Sequence, residues 1–283
     1  MEELEIVKFK SSDDAISNIF SNDGKKKYGR FVVAALGSIP WVGGVISASS
    51  ALNAEIEQGK INEMTGQWLE EHQEKMNSLS STIFQVADDL ENFKSDMAEE
   101  VKRRLNNPTY LTLVRQGFRA WDRADTDEKR SYIRRCLANA AATKLCSDDV
   151  IRLFIDWIDK YDEAHFSVIR ALYHNRGATR AYIWDQIHGD EVREDSSEAD
   201  LFKLLIFDLN TGRVLRQIRD KNSYGQFLPK RRQSRQPRQT ILESAFEDTK
   251  PYELTELGSQ FVHYVMDEVA PQIGNDGYSF SNN

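Results

Sequence analysis

Side chains that could carry chemistry are few in this chain, and their spacing fits no common metal site. Cys136 and Cys146 are the only cysteines, too few for a disulfide scaffold or a cysteine-rich zinc site. No two histidines have the spacing of an H-E-x-x-H zinc motif; they are His72, His165, His174, His188 and His263. We therefore expect no bound metal.

Motifs for phosphate binding and nucleophilic catalysis are also missing. The run Gly37–Gly44 lacks the lysine and the preceding strand that a phosphate-binding loop needs. No G-x-S-x-G motif occurs. The pairs Asp88-Asp89 and Asp148-Asp149 fall in helical patterns, where an exposed face or a helix start accounts for them. We expect a protein that is not an enzyme, with no cofactor and no small-molecule substrate.

The composition is that of an ordinary globular protein. Charged residues make up 29% of the chain and hydrophobic residues 40%. The formal charge of −8 argues against general nucleic-acid binding, although local patches can differ. The first twenty residues lack the apolar core of a signal peptide. A cytoplasmic location is expected, with recruitment to the inner face of the membrane left open.

The stretch Phe31–Leu52 is the longest without a charged residue. Its length is roughly what a helix needs to cross a bilayer core, and Lys25–Lys27 provide a basic flank. About half of its residues are Gly, Ala or Ser, however, and Pro40 disfavours a helical conformation just before it. A break is therefore predicted near Gly37–Pro40.

Beyond this break, small residues recur at four-residue spacing, which lets another helix approach closely. They are Gly43, Ser47 and Ala51, with Gly44 and Ala48 beside them. Three interpretations stay open: a central helix in a soluble bundle, a sheltered membrane-active segment released by a trigger, or a permanent span. The residues predicted to contact a membrane or partner are Phe31, Leu36, Ile39, Trp41, Val45 and Ile46.

The longest periodic pattern follows. From Ile61 to Leu105, apolar residues step by three or four positions, as on one face of an amphipathic helix. Unbroken, this helix would be on the order of 65 Å long. A kink near Gly66 or Ser78–Ser81, or pairing with a second helix as a coiled coil, would shorten or support it. A protein partner or self-association through this helix is expected, and His72 is interpreted as a packed residue on its apolar face.

The pattern predicts a mainly α fold, with an N-terminal helical bundle and a C-terminal winged-helix-like domain that has a small two-stranded β wing. In the first 30 residues, a short helix is expected to end at Asn22-Asp23-Gly24. Thr126 and Ser147 are predicted helix starts. The predicted segments are an arm (1–30), the apolar stretch with the long helix (31–107), a helical block (108–162), the winged-helix-like domain (163–270) and a tail (271–283).

The carboxy-terminal third resembles the winged helix-turn-helix superfamily. Three short helices are predicted first: Phe166–Tyr173, Tyr182–Ile187 and Leu201–Leu209. A strand at Val214–Ile218, a second at Tyr252–Leu254 and a helix capped by Thr255 follow. The run Leu254–Gly258 resembles the strand-to-helix junction of that superfamily. In its DNA-binding members the third helix enters the major groove, but here that helix carries Glu198, Asp200 and Asp208 against one lysine, so groove binding is not expected.

The predicted wing has the opposite charge. From Gly212 to Arg238 there are nine basic residues and one acidic residue, with Tyr224 and Phe227 interleaved. Such a loop is either a solvated balance to the acidic helix or a contact for phosphates, anionic lipid or an acidic protein. The basic residues predicted to make that contact are Arg219, Lys221, Lys230, Arg231, Arg232, Arg235 and Arg238.

The overall order of segments resembles certain bacterial abortive-infection proteins of the Abi-alpha type. The residues that carry this likeness are Gly37–Gly44 with the periodic run after it, and Tyr252–Phe261. The resemblance implies a role in phage defence or growth arrest. The leading hypothesis is a non-catalytic effector or adaptor that engages a membrane or partner. The alternatives are a nucleic-acid-associated regulator acting through the basic wing, and a structural subunit of a larger complex.

Overall fold

The computed structural model describes residues 22–45, 47, 63–92, 98–190, 192–218 and 244–266. These residues are mainly helical, with one two-stranded antiparallel sheet among them, as the sequence predicts. The chain divides into two compact units. The first runs to Lys160 and also includes the last described residues, Tyr264–Met266, while the second comprises Tyr161–His263.

The first unit is a bundle of six helices within the described residues. They are α1 (Asn22–Leu36), α2 (Glu63–Glu91), α3 (Ala98–Leu105), α4 (Pro108–Arg123), α5 (Asp127–Ala142) and α6 (Asp148–Lys160). Several begin at residues that satisfy free backbone N–H groups. The Asn107 side chain accepts from the Thr109 N–H at 2.8 Å, and the Thr126 hydroxyl accepts from the Lys129 N–H. Ser147 does the same for Val150, so both helix starts predicted from sequence are confirmed.

Helices α4 and α5 form the centre of this bundle. Helix α4 packs against α1, α3, α5 and α6, and α5 also packs against α2. Close approach of α4 and α5 depends on Gly117, where an added Cβ would lie 3.0–3.2 Å from the Leu137 side chain. The core includes the following fully buried side chains: Met76, Leu79, Ile83, Val86, Leu113, Val114, Phe118, Trp121, Ile133, Cys136 and Leu137.

The predicted long helix is divided in two. Helix α2 ends at Glu91, and α3 begins at Ala98. The break therefore follows Glu91, whereas Gly66 and Ser78–Ser81, the predicted kink positions, lie inside α2. Both pieces pack on α5, and α3 also contacts α1 and α4. Two shorter helices can bury their apolar faces within one bundle. A single straight helix of the predicted length would extend beyond the bundle.

Helix α1 begins at Asn22-Asp23-Gly24, consistent with the preference of Asn and Asp for helix N-termini. The basic residues Lys25–Lys27 lie within α1 and precede the apolar stretch that begins at Phe31. The short helix predicted from Ser12 lies outside the described residues.

In the described residues, the second unit has three helices, two strands and a further short helix, in that order. Its helices are α7 (Glu163–His174), α8 (Arg180–Ile187), α9 (Ser197–Thr211) and α10 (Glu256–Phe261), and its strands are β1 (Leu215–Gln217) and β2 (Tyr252–Leu254). Leu215 pairs with Leu254 and Gln217 with Tyr252 in an antiparallel register. The other edge of β2 exchanges hydrogen bonds with the turn after α7, through Gly177 and Ala178.

The predicted junction Leu254–Gly258 has a specific geometry. The Thr255 hydroxyl accepts from the Gly258 N–H at 3.0 Å and donates to the Arg213 carbonyl at 2.6 Å. A Cβ on Gly258 would overlap the Val214 carbonyl, so a glycine is required there. Helix α10 continues as a π-helical turn over Val262–Met266.

The end of the described chain belongs to the first unit. The Asn139 side-chain amide donates to the Tyr264 carbonyl at 2.9 Å, and the Tyr264 ring lies 6.0 Å from that of Phe154. Arg135 donates to the Met266 carbonyl at 2.5 Å. The bundle is thus completed by residues more than a hundred positions downstream of α6.

Candidate functional site

The apolar segment predicted to contact a membrane or partner lies largely in the core of the bundle. Phe31 is fully buried, with its ring 6.0 Å from that of Phe118 in an edge-to-face arrangement. Ile39 and Val45 are buried, and Leu36 and Trp41 are half-buried. The side chain of Ile46 lies outside the described residues. In the part of the chain that the structure describes, no helix is long and apolar enough to cross a bilayer.

The predicted break in this segment is present. Helix α1 ends at Leu36, residues 37–39 are not helical, and a helical turn resumes at Pro40. Ser38 is buried there and donates to the Ala35 carbonyl at 2.6 Å. The segment is therefore two short pieces joined by a sharp turn.

Trp41 is held by a polar tether at the edge of the core. Its indole N–H donates to the Asp122 carboxylate at 2.7 Å, and the Lys75 ammonium lies 2.7 Å from the same oxygen. Lys75 also stands 5.2 Å from the centre of the Trp41 ring, and His72 packs edge-to-face on that ring. The interpretation of His72 as a packed residue is confirmed.

The small-residue stripe does not receive a neighbouring helix within the described residues. Gly43, Gly44 and Ser47 are all exposed, and a Cβ added at Gly43 would meet nothing within 4 Å. The buried positions of this piece are instead Val42 and Val45. Burial follows the larger apolar side chains, which gain more from leaving water than glycine and serine do.

The basic wing residues lie outside the described residues: Arg219, Lys221, Lys230, Arg231, Arg232, Arg235 and Arg238. The described part of the second unit contains a smaller basic cluster, formed by Arg216 of β1 and Arg176 of the turn after α7. Arg216 and Arg176 hold the nearly buried carboxylate of Glu253 at 2.8 and 2.9 Å. Burial raises the pKa of Glu253, but the hydrogen bonds and charges of Arg216 and Arg176 outweigh it, so that pKa lies below its usual range.

The outer face of α9 exposes large apolar side chains, a feature that sequence analysis missed. Leu201 is 54% exposed, Leu204 52% and Phe207 63%. The opposite side of α9 buries Phe202, Leu205, Ile206 and Leu209. The exposed residues recur at three-residue spacing, as core positions of a helix also do, so no signal in the sequence marks them as exposed.

We name the three side chains Leu201, Leu204 and Phe207 the α9 stripe. Asp200 and Asp208 lie beside it, each four positions from Leu204 and thus one helical turn away. Asp200 is 74% exposed, and the one lysine of the helix, Lys203, lies 3.5 Å from it. The stripe is therefore an apolar surface with acidic edges.

A groove of about 780 Å³ in the first unit has ionisable side chains along it. Two of its cations are paired: Arg104 binds Asp148 and the Ala140 carbonyl, and Lys144 binds Glu100. Burial raises the pKa of the Cys146 thiol in this groove to about 11, so that thiol is protonated at neutral pH and is not a nucleophile.

No group of three His, Cys, Asp or Glu side chains in the described ranges is arranged to hold a metal ion. Cys136 is a free, fully buried thiol, as its position on an apolar face predicts. His165 acts locally: its Nδ1 accepts from the Asp162 N–H at 3.1 Å and completes a capping box at the start of α7.

In comparisons with known proteins, no family model, no curated protein and no solved structure matches this chain.

Proposed function

We propose that the protein is a non-catalytic helical adaptor, which binds a partner protein through the α9 stripe on a winged-helix-like unit. The observation that carries this proposal is the exposure of Leu201, Leu204 and Phe207 on consecutive turns of one helix. Clustered apolar side chains in water are typical of interaction sites, whereas single ones are not. In DNA-binding members of the winged-helix superfamily, which this unit resembles in sequence, the third helix enters the DNA groove; the third helix here carries the stripe, with acidic residues beside it.

Burial of the apolar segment favours α9 as the primary contact surface. Exposing Phe31, Ile39 and Val45 to water would lose about 1.5–3 kcal/mol for each side chain. Their sum approaches the total stability of about 5–15 kcal/mol that is typical of a domain. Release of this segment to a membrane would therefore need a strong compensating interaction, whereas the α9 stripe is accessible without rearrangement.

The resemblance to abortive-infection proteins supports placing this adaptor in bacterial phage defence, at a cytoplasmic location. In that setting the partner would supply the trigger or the toxic activity. The nucleic-acid alternative would act through the basic wing, which lies outside the described residues, whereas the acidic edges of the stripe would repel phosphate.

A photo-crosslinking experiment tests the proposal. A benzoylphenylalanine replaces Phe207 in one variant and Phe84 in another. Phe84 is a suitable control because it is 54% exposed but lies on α2 in the other unit. After irradiation in cells of the source organism, an adduct of one defined mass is expected at position 207 and not at position 84.

The crosslinked protein is then identified by mass spectrometry, purified and titrated against the unmodified chain by calorimetry. Leu204→Ser should weaken its binding at least tenfold, because interface centres concentrate binding energy in buried apolar anchors. Absence of an adduct at position 207, or unchanged affinity of the Leu204→Ser variant, would overturn the proposal.

A further inference from the structure

We infer that the α9 stripe takes a basic amphipathic helix from the partner. This inference rests on the proposed function and adds the chemical class of the partner segment. Leu201 and Phe207 lie six residues apart, which is about 9 Å along the helix axis. That length matches almost two turns of a second helix laid along α9, with apolar residues at every third or fourth position.

The charges around the stripe select a basic partner. Between residues 190 and 208 the sequence has seven acidic residues and two basic ones. Both basic side chains are engaged: Arg193 pairs with Asp195, and Lys203 lies near Asp200 and Glu194. The field over the stripe is therefore negative, which speeds association with a cation-flanked helix and disfavours an acidic one.

The same charges disfavour three other occupants. Two copies of this face would bring Asp200 and Asp208 against their equivalents, and like charges in contact oppose association. Nucleic-acid phosphates and anionic lipid headgroups would be repelled in the same way. A helix with lysine or arginine beside its apolar face satisfies both features of the surface.

The surface is also held in place before any partner arrives. The Ser196 hydroxyl caps α9 by accepting from the Ala199 N–H at 3.1 Å. On the inner side, the Phe202 ring contacts Trp184 at 5.3 Å and Phe246 at 6.2 Å between centroids. A fixed backbone reduces the ordering that binding requires, so a short helix can bind measurably.

The experiment uses the full chain and three synthetic 14-residue peptides labelled with fluorescein. The first has leucine and lysine in an amphipathic helical order, the second has the same composition in scrambled order, and the third replaces every lysine with glutamate. Fluorescence anisotropy should show binding of the first peptide at least tenfold tighter than that of the other two. Its affinity should fall as salt is raised from about 50 to 500 mM, because screening weakens the ionic contacts.

Two variants locate the binding site. Leu204→Ser should weaken binding of the lysine–leucine peptide at least tenfold. Phe84→Ser, at a similarly exposed position on α2, should leave the affinity for this peptide unchanged. Circular dichroism checks that both variants fold. Equal binding of the scrambled or glutamate peptide, or an effect of Phe84→Ser as large as that of Leu204→Ser, would overturn the inference.

Other occupants are recognised by separate results. A dimer in sedimentation that Leu204→Ser abolishes would assign the stripe to a second copy and overturn the inference. A peptide of residues 219–243 that displaces the lysine–leucine peptide would assign it to this chain. If none of the peptides binds while position 207 still crosslinks to a validated partner, the inferred class of partner segment is wrong and the adaptor function stands. If both fail, both proposals fall.

Discussion

Phe31 and Phe207 are both phenylalanines on helices rich in apolar residues, yet Phe31 is fully buried and Phe207 is 63% exposed. The last part of helix α1, from Phe31, begins a long uncharged stretch that suggests exposure to a membrane. Helix α9 is interrupted by acidic residues that suggest an ordinary soluble helix. The structure reverses both impressions. Whether an apolar side chain is buried depends on the packing partners of its helix face, and not on how apolar the surrounding sequence is.

The difference arises from the number of neighbours that each helix has. Helix α1 meets α2, α3 and α4, so most of its apolar positions find a covering surface; the exposed exception is Val33. Helix α9 packs against α7 and β1, and Phe202 on its buried side contacts Trp184 of α8. Its second apolar face therefore remains in water, at a free-energy cost that partner binding would recover.

The largest expected effect comes from making the same change in both regions. Phe31→Ala should lower the free energy of unfolding by about 3–5 kcal/mol, because it leaves a cavity beside Phe118. Phe207→Ala should change it by no more than about 0.5 kcal/mol. Urea denaturation followed by circular dichroism measures both. Similar losses in the two variants would mean that the two regions do not differ in burial as described.

A smaller effect is expected at Glu253, in the unit that carries α9. Glu253→Gln should destabilise the protein by about 1–3 kcal/mol at neutral pH, because Arg176 and Arg216 lose their shared carboxylate. The folded-state pKa of Glu253 is lowered, so its contribution is present above the unfolded pKa of about 4.3 and is lost as pH falls through the folded value.

Urea midpoints measured from pH 7 to pH 3 check this sign. The wild-type protein should lose more stability on acidification than Glu253→Gln, so the two curves should converge at low pH. Parallel curves would show that the Arg176–Glu253–Arg216 cluster does not contribute as its geometry suggests.

The polar contacts of Trp41 provide a test of whether the apolar segment is part of the core. Asp122→Asn removes the charge that holds Lys75 and should lower stability by about 1 kcal/mol. Co-sedimentation with anionic liposomes should remain at background if the segment is core. If this variant binds liposomes, and Ile46→Asp in the same background abolishes binding without loss of helical signal, the membrane-active interpretation is correct.

The smallest effect is expected at the end of α9. Arg213 has a φ of 63°, in the left-handed region where glycine is favoured after a helix. Its side chain is exposed, and only Gly212 separates it from the end of α9. Arg213→Gly should raise the free energy of unfolding by about 0.5–1 kcal/mol without weakening binding of the lysine–leucine peptide. A loss of stability would mean that the arginine side chain contributes more than its backbone strain.

Local signals in the sequence predict much of this fold. Thr126, Ser147 and Thr255 mark helix starts because their hydroxyls satisfy free N–H groups, a rule that needs no tertiary information. The break before Pro40 follows from the proline ring. The two strands follow from their alternation and the turn residues that bound them.

What the sequence did not predict depends on contacts between distant segments. The break after Glu91 exists because both pieces pack on α5, which the periodic pattern cannot show. The stripe on α9 was missed because Leu201, Leu204 and Phe207 have the helical spacing of core residues. Their exposure depends on which sides of α9 other elements cover, and that is a property of the assembled unit.

The hydrogen bonds from Asn139 and Arg135 to Tyr264 and Met266 have a consequence for synthesis of the protein. While the ribosome is still translating residues 161–263, the six-helix bundle lacks its last contacts. Completion of the bundle then waits for the end of this region to emerge, so an arrest of translation within it leaves an N-terminal unit that is incomplete.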